Sequence, residues 1–507
     1  MKAHIFMTGS RRCFPALLAV FCLTAHSAHA QKPAQANPDE IGSLYLGNSQ
    51  VLAAMHPRLL TKNARVAQFI GSPTGGRIAY VSEIAGPSGV VADLGVATVE
   101  NGENTIYFHT GLTADNGETG QGSLIQGLYG WSDDSAYFTF GVDTPDIPTN
   151  GQAPTEQLEC IDLVNNTVVP VPLPFDQLPN SAHLMALDDY LEGAAWAPGE
   201  RALAFGVRAT LNGGQAACLC LFDADHRATR LLSAIDKGDF RFEGWQDPTH
   251  LAYRLDNNRF AYDLATGKTA PLAAGVKLAR GALAPWSPGK PMASVVTSDK
   301  EKLALTETSD PIKALDPGAL GVASVLITRT GGPAKPSTLR LDSFPQGYRQ
   351  SQAEFLPNAG FDRQDTYHIA YVCDGDLKVV DIAPRRATPS EKLAAGEKLT
   401  CEEELPSVVS NARQLGLGIL QYLANHNSQW PGAEGLHDDV SAYTGTDSFF
   451  SSPNGEAFHY LAPAQPNLSA MADPMNTPLG EFDLPCAKVV LYADGHVKVQ
   501  KNSPAAP

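Results

Sequence analysis

The amino-acid sequence predicts a mainly β protein, a six-bladed β-propeller followed by a small C-terminal α+β domain. A degenerate phrase of an aromatic residue, a turn and a short apolar strand occurs six times between residues 69 and 372. Four copies continue with a second strand, an Asp, another turn and another strand. Repeats of this length are typical of propellers and solenoids, and four strands per repeat correspond to one propeller blade. The last hundred or so residues lack the phrase and show a helical period instead.

The aromatic residue of each phrase is predicted to fill the space between neighbouring blades, where a large apolar side chain is needed. These repeat positions are Phe69, Trp131, Trp196, Trp245, Trp286 and Phe355. Their spacing is irregular because Gly-, Pro- and Asn-rich insertions separate the phrases. Five or seven blades therefore remain alternatives to six.

The Asp in the second half of the repeat is predicted to bond nearby backbone amides and to end its strand. These positions are Asp162, Asp223, Asp263 and Asp381. Residues 41–55 precede the first phrase, and we expect them to supply a strand that closes the ring with the last blade, because closure removes exposed sheet edges. The propeller, including this closing strand, is predicted to span residues 31–386.

The phrases resemble the WD40-like PD40 repeats of the TolB-type propellers. The best copies of that pattern are Trp286-Ser287-Pro288-Gly289 and the turn from Asp263 to Gly267. The resemblance covers residues 43–386 and implies a propeller. The chain departs from the TolB family because no α/β domain is expected before the propeller, so the envelope role of TolB is not implied.

The first 30 residues are predicted to be a secretory signal peptide. A basic start precedes an apolar run at residues 14–23, and Ala28-His29-Ala30 matches a cleavage site after Ala30. The run is too short to span a bilayer as a folded helix. We therefore expect a periplasmic or secreted protein without a membrane span. Ser10-Arg11-Arg12 also resembles a twin-arginine motif, which leaves the export route open.

Composition excludes some classes of partner and site. The formal net charge is −17 and no basic cluster lies along the chain, so nucleic acid is not an expected partner. Of eight cysteines, six follow the predicted leader, and an even number in an exported protein permits disulfides. Cys218 and Cys220 lack a His or Cys pair at ligand spacing, and they are interpreted as structural. No metal and no cofactor is predicted.

The C-terminal part is predicted to comprise a linker at residues 387–404, a domain at residues 405–500 and a disordered tail at residues 501–507. A helix is predicted from Ser407 to Asn425, capped by Ser407 or Ser410. Its apolar stripe is Val408, Ala412, Leu415, Ile419 and Tyr422. Two strands flanking Asp494-Gly495 predict a tight hairpin that packs on this stripe. Cys401 and Cys486 flank the helix and the hairpin, which permits a bond between them.

The stretch SNARQLGLGILQYLANHNSQWPG resembles the DUF1559-type pilin-like proteins that carry the H-X9-DG motif. Asp494 and Gly495 match the DG pair of that motif, whereas Leu484 stands where the motif has His. The long apolar helix that pilins use for assembly is not found. The resemblance implies a pilin-like globular head fused to the propeller, and it does not imply a pilus subunit.

No catalytic motif is found, and carboxylate pairs such as Asp133-Asp134 are interpreted as turn residues. We therefore predict an exported, non-catalytic binding or scaffold protein of the cell envelope. The propeller face or channel mouth would bind a peptide, a glycan or a partner protein. The alternative is a propeller-type lyase or hydrolase acting on glycans, whose site residues come from loops between blades. The sequence leaves the ligand and the oligomeric state open.

Overall fold

Six antiparallel sheets follow one another along the chain, one for each sequence phrase, and the protein is mainly β as predicted. The computed structural model describes residues 38–86, 89–110, 124–144, 155–174, 177, 182–184, 191–211, 214–235, 238–282, 294–296, 302–310, 322–330, 337–345, 352–357 and 366–502. The predicted signal peptide, Trp286 and the last five residues lie outside these ranges.

The first third of the chain forms an N-terminal hairpin, a short strand and the first two sheets. The N-terminal strands are β1 (Glu40–Gly47), β2 (Gln50–Met55) and β3 (Arg58–Leu59). The first sheet contains β4 (Val66–Gly71), β5 (Arg77–Gly86), β6 (Gly89–Thr98) and β7 (Asn104–His109). The second sheet contains β8 (Leu124–Trp131), β9 (Tyr137–Thr144), β10 (Thr155–Asp162) and β11 (Thr167–Pro170).

The third and fourth sheets each carry one additional short strand. The third sheet contains β12 (Ala182–Leu184), β13 (Leu191–Trp196), β14 (Ala202–Leu211), β15 (Gly214–Asp223) and β16 (Ala228–Ile235). The fourth sheet contains β17 (Phe240–Asp247), β18 (His250–Leu255), β19 (Asn258–Asp263), β20 (Lys268–Pro271) and β21 (Arg280–Gly281).

The last two sheets complete the repeated part. The fifth sheet contains β22 (Ser294–Val296), β23 (Lys302–Asp310), β24 (Val322–Thr330) and β25 (Ser337–Pro345). The sixth sheet contains β26 (Ala353–Leu356), β27 (Tyr367–Cys373) and β28 (Asp376–Arg386), joined by the three N-terminal strands. β2 pairs with β28 from Gln50↔Arg386 to Ala54↔Ile382, and β3 pairs with the same strand at Lys378 and Val379. The N-terminal segment therefore supplies the outer strands of the last sheet.

Each of the first five sheets is a meander, so two of its three turns lie at one edge. We call this edge the turn face; it holds the turns between the first and second strands and between the third and fourth strands. In the first four sheets, each of these turns has two to five residues. The long connections, such as residues 110–124 and 310–322, leave from the opposite edge.

In a sheet that packs between two others, the central strands are apolar on both sides. In β15, Cys218, Cys220 and Phe222 pack toward the second sheet, whereas the alternate residues Leu219 and Leu221 pack toward the fourth. A strand buried on both faces has a continuous apolar sequence rather than an alternating one.

Apolar clusters join the sheets pairwise. They connect the first sheet with the second, the second with the third, the third with the fourth, the fifth with the sixth, and the sixth with the first. The first and last sheets of the repeated part are therefore in direct contact.

The C-terminal unit is built from three helices, two 3₁₀ turns and one sheet. The helices are α1 (Pro389–Ala394), α2 (Cys401–Asn425) and α3 (Leu436–Thr444), and the 3₁₀ turns are Asp447–Phe450 and Leu468–Ala470. The strands are β29 (His459–Tyr460), β30 (Pro478–Asp483), β31 (Ala487–Tyr492) and β32 (Val497–Lys501). Along the described residues, no helix is both long and apolar enough to cross a bilayer.

The predicted start of the long helix was wrong. The helix begins at Cys401, and Thr400 caps it in a capping box with Glu403 rather than Ser407 or Ser410. Pro406 lies inside the helix. The acidic residues 402–404, expected in a linker, form its first turn, where the helix dipole favours negative charge. The predicted linker also contains α1.

The apolar stripe of α2 packs on the hairpin. Val408, Ala412, Leu415 and Ile419 are fully buried in one cluster with Val489, Leu491 and Ala493. The last stripe position differs from the prediction, because Leu423 is buried and Tyr422 is only partly buried. A disulfide joins Cys401 at the start of α2 to Cys486 before β31, with 5.9 Å between the Cα atoms.

Candidate binding site on the turn face

The repeated tryptophans lie at the ends of first strands and bridge neighbouring sheets. The indole N–H of Trp131 donates to Ile70 O at 3.1 Å, that of Trp196 to Gly130 O at 3.2 Å, and that of Trp245 to Ala195 O at 2.8 Å. Each indole thus bonds the first strand of the preceding sheet. All three side chains are buried. Trp286 lies outside the described residues.

The first phrase is shifted by two residues relative to these tryptophans. Ser72 N–H bonds Arg77 O just as Ser132 N–H bonds Tyr137 O, so Gly71 occupies the position of Trp131. Phe69 lies two residues earlier and is fully buried in the cluster between the sixth and first sheets. A Cβ on Gly71 would stand 2.6 Å from Leu356, which leaves no room for an aromatic ring there.

Three of the predicted Asp positions end their strands in the expected manner. Asp162 accepts bonds from the N–H groups of Val164 and Asn165, and Asp263 accepts from those of Ala265 and Thr266. Asp223 accepts from the N–H and Nδ1 of His226. These contacts close the turn between the third and fourth strands.

The prediction that Asp381 ends its strand at a turn was wrong. The residue lies in the middle of β28, where it accepts from Arg58 and contacts Nδ1 of His368 at 2.7 Å. No turn follows it because the outer strands of this sheet come from the N-terminus, so the third strand continues to Arg386.

A charged cleft lies on the turn face between the second and third sheets. It is lined by Asp134, Gly199, Glu200, Arg201 and Asp225. Arg201 Nε donates to Asp134 at 2.7 Å and its Nη1 donates to Asp225 at 3.1 Å.

Tyr137, the first residue of β9, lies beneath the charged side chains of the cleft. The guanidinium of Arg201 lies 5.6 Å from the centre of the Tyr137 ring, and the Tyr137 hydroxyl donates to Asp225 at 3.3 Å. Tyr137 also stacks on Trp196, so the cleft rests directly on the core between the two sheets.

A second arginine reaches the same face from the fourth sheet. β21 pairs with the first strand of that sheet, at Gly244↔Gly281 and Trp245↔Arg280. The side chain of Arg280 then donates to Trp131 O at 3.2 Å and forms an ion pair with Asp133. The other oxygen of Asp133 accepts the N–H of Gly199 at 2.6 Å. Asp133 thereby connects its own turn with a turn of the third sheet and with a strand of the fourth sheet.

The protonation states in the cleft follow from these contacts. Burial acts against ionisation of Asp134, but bonds from Ser132, Ala136 and Arg201 outweigh it and lower the pKa of the carboxyl group. Burial and the charges of Asp162 and Asp225 raise the pKa of Tyr137 to about 12. Near neutral pH the acid is therefore ionised and the phenol is neutral, and neither is suited to transfer protons.

Two carboxyl groups elsewhere have a pKa near neutrality. Burial raises the pKa of Glu159, on β10, and of Glu354, on β26, to about 7 in each case. These residues belong to the second and sixth sheets, so they do not form a carboxylate pair.

Burial also raises the pKa of the unpaired thiols, which lie on strands: Cys160, Cys218, Cys220 and Cys373. Within the described ranges, no group of three His, Cys, Asp or Glu side chains could hold a metal ion.

The predicted C-terminal motif forms the turn of the hairpin. Asp494 accepts the N–H of His496 at 3.1 Å, and Gly495 adopts φ 86°. A side chain on Gly495 would meet Leu420 of α2. This pair has a structural role in holding the turn against the helix.

Arg201, Arg280, Tyr137 and Asp225 were not identified from the sequence. One signal existed for Arg201, because a basic residue stands near the start of the second strand in two phrases: Arg77 is the first residue of β5, and Arg201 directly precedes β14. Both reach the turn of a neighbouring sheet: Arg77 donates to Ser135 O at 2.8 Å. Nothing in the sequence near Arg280 indicates its contact with Asp133.

No protein-family model matches the chain, and no curated protein does either. Solved structures of propeller proteins are similar to it. TolB from Acinetobacter baumannii is 14% identical over 62% of this chain and 67% of its own, with a TM-score of 0.24. The β-propeller domain of the Trilobed protease from Pyrococcus furiosus is 10% identical over 63% and 94%, with a TM-score of 0.29. An oligogalacturonate lyase from Vibrio parahaemolyticus is 14% identical over 68% and 88%, with a TM-score of 0.28. At these scores, function has to be argued from the contacts of this chain.

Proposed function

We propose that the chain is an exported, non-catalytic binding or scaffold protein of the cell envelope whose turn face binds a cationic partner segment. The observation that carries this proposal is the charge balance of the cleft. Four acids, Asp133, Asp134, Glu200 and Asp225, surround two arginines that are already paired with three of these carboxylates. The cleft is therefore net negative, and it favours a Lys- or Arg-containing peptide over an anion.

We further propose that the six sheets are the blades of one closed propeller. The support is the series of contacts between successive sheets and the contact of the sixth sheet with the first. The pairing of β2 and β3 with β28 adds to it, because the ends of the repeated part are then joined by backbone hydrogen bonds. A contact between the fourth and fifth sheets would complete the ring.

Export and the pilin-like character of the C-terminal unit belong to the same proposal. Two features support export. One is the predicted signal peptide, and the other is the Cys401–Cys486 disulfide, because disulfides are typical of proteins outside the cytoplasm. The helix α2 packed on a hairpin that turns at Asp494-Gly495 is the arrangement expected of the pilin-like head.

Calorimetry with model peptides tests the binding proposal. We expect a penta-lysine peptide to bind more tightly than penta-glutamate, with an affinity that falls as salt rises. Glu200 is exposed in the cleft, and Glu200→Gln should weaken binding of penta-lysine about two- to fivefold, the effect of one exposed charge pair. Glu434→Gln, an exposed acid of the C-terminal unit, is the matched control and should change nothing. Equal binding of both peptides, or an equal effect of the two variants, would contradict the proposal.

A propeller-type enzyme acting on glycans is the second candidate, because the pKa of Glu354 near 7 suits a general acid or base. Incubation of the native protein with acidic and neutral oligosaccharides, analysed for shortened products, tests this candidate. Product formation that Glu354→Gln abolishes would favour the enzyme over the binding protein.

A further inference from the structure

The interface between the sixth and first sheets is built differently from the interfaces that follow it. Trp131, Trp196 and Trp245 each donate an indole N–H to the preceding sheet. At the interface between the sixth and first sheets the corresponding position is Gly71, which has no side chain to donate. Side chains at the start of the sixth sheet provide the bonds instead: they reach from the preceding sheet to the following one, whereas each indole reaches from the following sheet to the preceding one.

Two side chains bond the backbone of β4: Glu354 of β26 and Gln352, the residue before this strand. Gln352 makes two bonds to Phe69: its Oε1 accepts the N–H at 3.1 Å and its Nε2 donates to the carbonyl at 2.9 Å. Glu354 Oε1 accepts the N–H of Gly71 at 2.9 Å. An amide and a carboxyl group thus replace the missing indole.

Glu354 is the only one of these bonding groups that can change its charge. Burial raises its pKa to about 7, and the bond from Gly71 offsets only part of that effect. β4 and β22, which pack against β26, carry no titratable side chain. On β27 the titratable group that shares the face of Glu354 is His368, whose Nδ1 contacts Asp381. Tyr371 and Cys373 belong to the cluster on the opposite face.

We propose that protonation of Glu354 controls the closure between the sixth and first sheets, so that the ring is tight at mildly acidic pH and opens more readily above neutrality. When the interface opens, water reaches the carboxyl group and its pKa returns toward the usual value. The closed state binds the proton more tightly than the open state does. Raising the pH through the window from about 4.5 to about 7 therefore favours opening.

Hydrogen–deuterium exchange of the full-length protein tests the proposal. After correction for intrinsic exchange, peptides that cover residues 66–71 and 352–357 should show an opening equilibrium that rises about tenfold between pH 6 and pH 8. In Glu354→Gln, which keeps an oxygen acceptor for Gly71 but does not titrate, this rise should disappear.

Glu159→Gln is the matched control because Glu159 has a pKa near 7 as well but belongs to the second sheet. This variant should retain the tenfold rise at residues 66–71. If Glu354→Gln fails to fold, the native protein still decides the question, since peptides around Trp196 should not follow the same pH dependence. A pH-independent opening at residues 66–71, or one shared by all interfaces, would overturn the proposal.

Discussion

The repeated sheets and the C-terminal unit bury their apolar side chains in different ways. In the sheets, each cluster belongs to two neighbours, as Trp196 of the third sheet does when it packs with Tyr137 of the second. In the C-terminal unit, one apolar cluster contains side chains of α2 and of the sheet that packs on it. The Cys401–Cys486 disulfide joins the start of α2 to the residue before β31.

This difference determines how far a defect spreads. A side chain lost between two sheets weakens both of them, because each repeat depends on its neighbours for part of its core. A side chain lost from the C-terminal cluster affects elements that lie within about a hundred residues of one another. The C-terminal unit should therefore fold and unfold as one local unit, whereas the sheets should lose stability together with their neighbours.

Trp196→Ala should have the largest effect, about 3–5 kcal/mol of unfolding free energy, the usual cost of deleting a large buried aromatic side chain. The variant also leaves Gly130 O without its indole donor. Hydrogen exchange should show the loss of protection in both the second and third sheets. If protection in α2 fell as much as in β13, the two regions would not be independent, and the comparison would fail.

Leu415→Ala is the corresponding change in the C-terminal unit, with an expected cost of about 2–5 kcal/mol. Leu415 is fully buried in the cluster of α2 and the hairpin. Exchange should accelerate in α2 and β31 and remain unchanged in the second and third sheets. Leu417→Ala, at a half-exposed position on the same helix, is the control and should cost far less.

Replacing both cysteines of the disulfide by Ser should cost about 2–4 kcal/mol, because the bond closes a loop of 85 residues. Thermal unfolding with and without reductant measures this effect in the native protein. The loss should be confined to the C-terminal unit. A reductant effect of the same size on the protection of the first sheet would show that the disulfide stabilises the whole chain.

The sequence located features that depend on local pattern and missed features that depend on partners distant in the chain. Trp131, Trp196 and Trp245 stand out because each begins a turn-and-strand phrase. Gly71 could not be recognised as their equivalent, because what excludes a side chain there is Leu356 of the sixth sheet. Asp381 has the local pattern of a turn residue, but β2 and β3 make the turn unnecessary.

The misplaced helix start and the overlooked cleft have different reasons, the first local and the second distant in the chain. The predicted start at Ser407 followed the apolar stripe that begins at Val408, whereas the capping box of Thr400 and Glu403 starts the helix at Cys401. Asp133 and Asp134 were interpreted as turn residues, which they are. Their ion pairs with Arg280 and Arg201 join residues from three sheets, and no local pattern predicts such contacts.

The turn-closing carboxylates allow a finer comparison within the sheets. The side chain of Asp162 is only 2% exposed and binds Arg227 as well as its own turn, whereas Asp263 is partly exposed and bonds only its turn among the contacts described. Asp162→Ala should cost about 1–3 kcal/mol, because it removes a buried carboxylate that accepts bonds from two turn N–H groups and from Arg227. Asp263→Ala should cost less than about 1 kcal/mol. Equal midpoints for the two variants in urea unfolding would show that burial does not separate these positions.

The smallest effect is expected at the junction of the two regions. Arg385, at the end of β28, pairs with Glu391 of α1 at 2.8 Å and also with Glu40 of β1. The bonds from Arg385 lower the pKa of Glu391 to about 2, against the effect of burial. The stabilisation by Glu391 is therefore present above about pH 4.5 and is lost as the pH falls toward 2.

Glu391→Gln should weaken the docking of α1 by up to about 1 kcal/mol, as for other partly exposed ion pairs. Limited trypsin digestion measures this change, because the exposed Lys398 lies between α1 and α2 and should be cut up to about fivefold faster when α1 detaches more often. Glu402→Gln, at an exposed acid in the first turn of α2, is the control and should leave the rate unchanged. The cut should release two folded fragments, since Cys401 and Cys486 both lie on the C-terminal side. Rapid degradation of the C-terminal fragment would show instead that its cluster depends on the sheets, and the two regions would then be one folding unit.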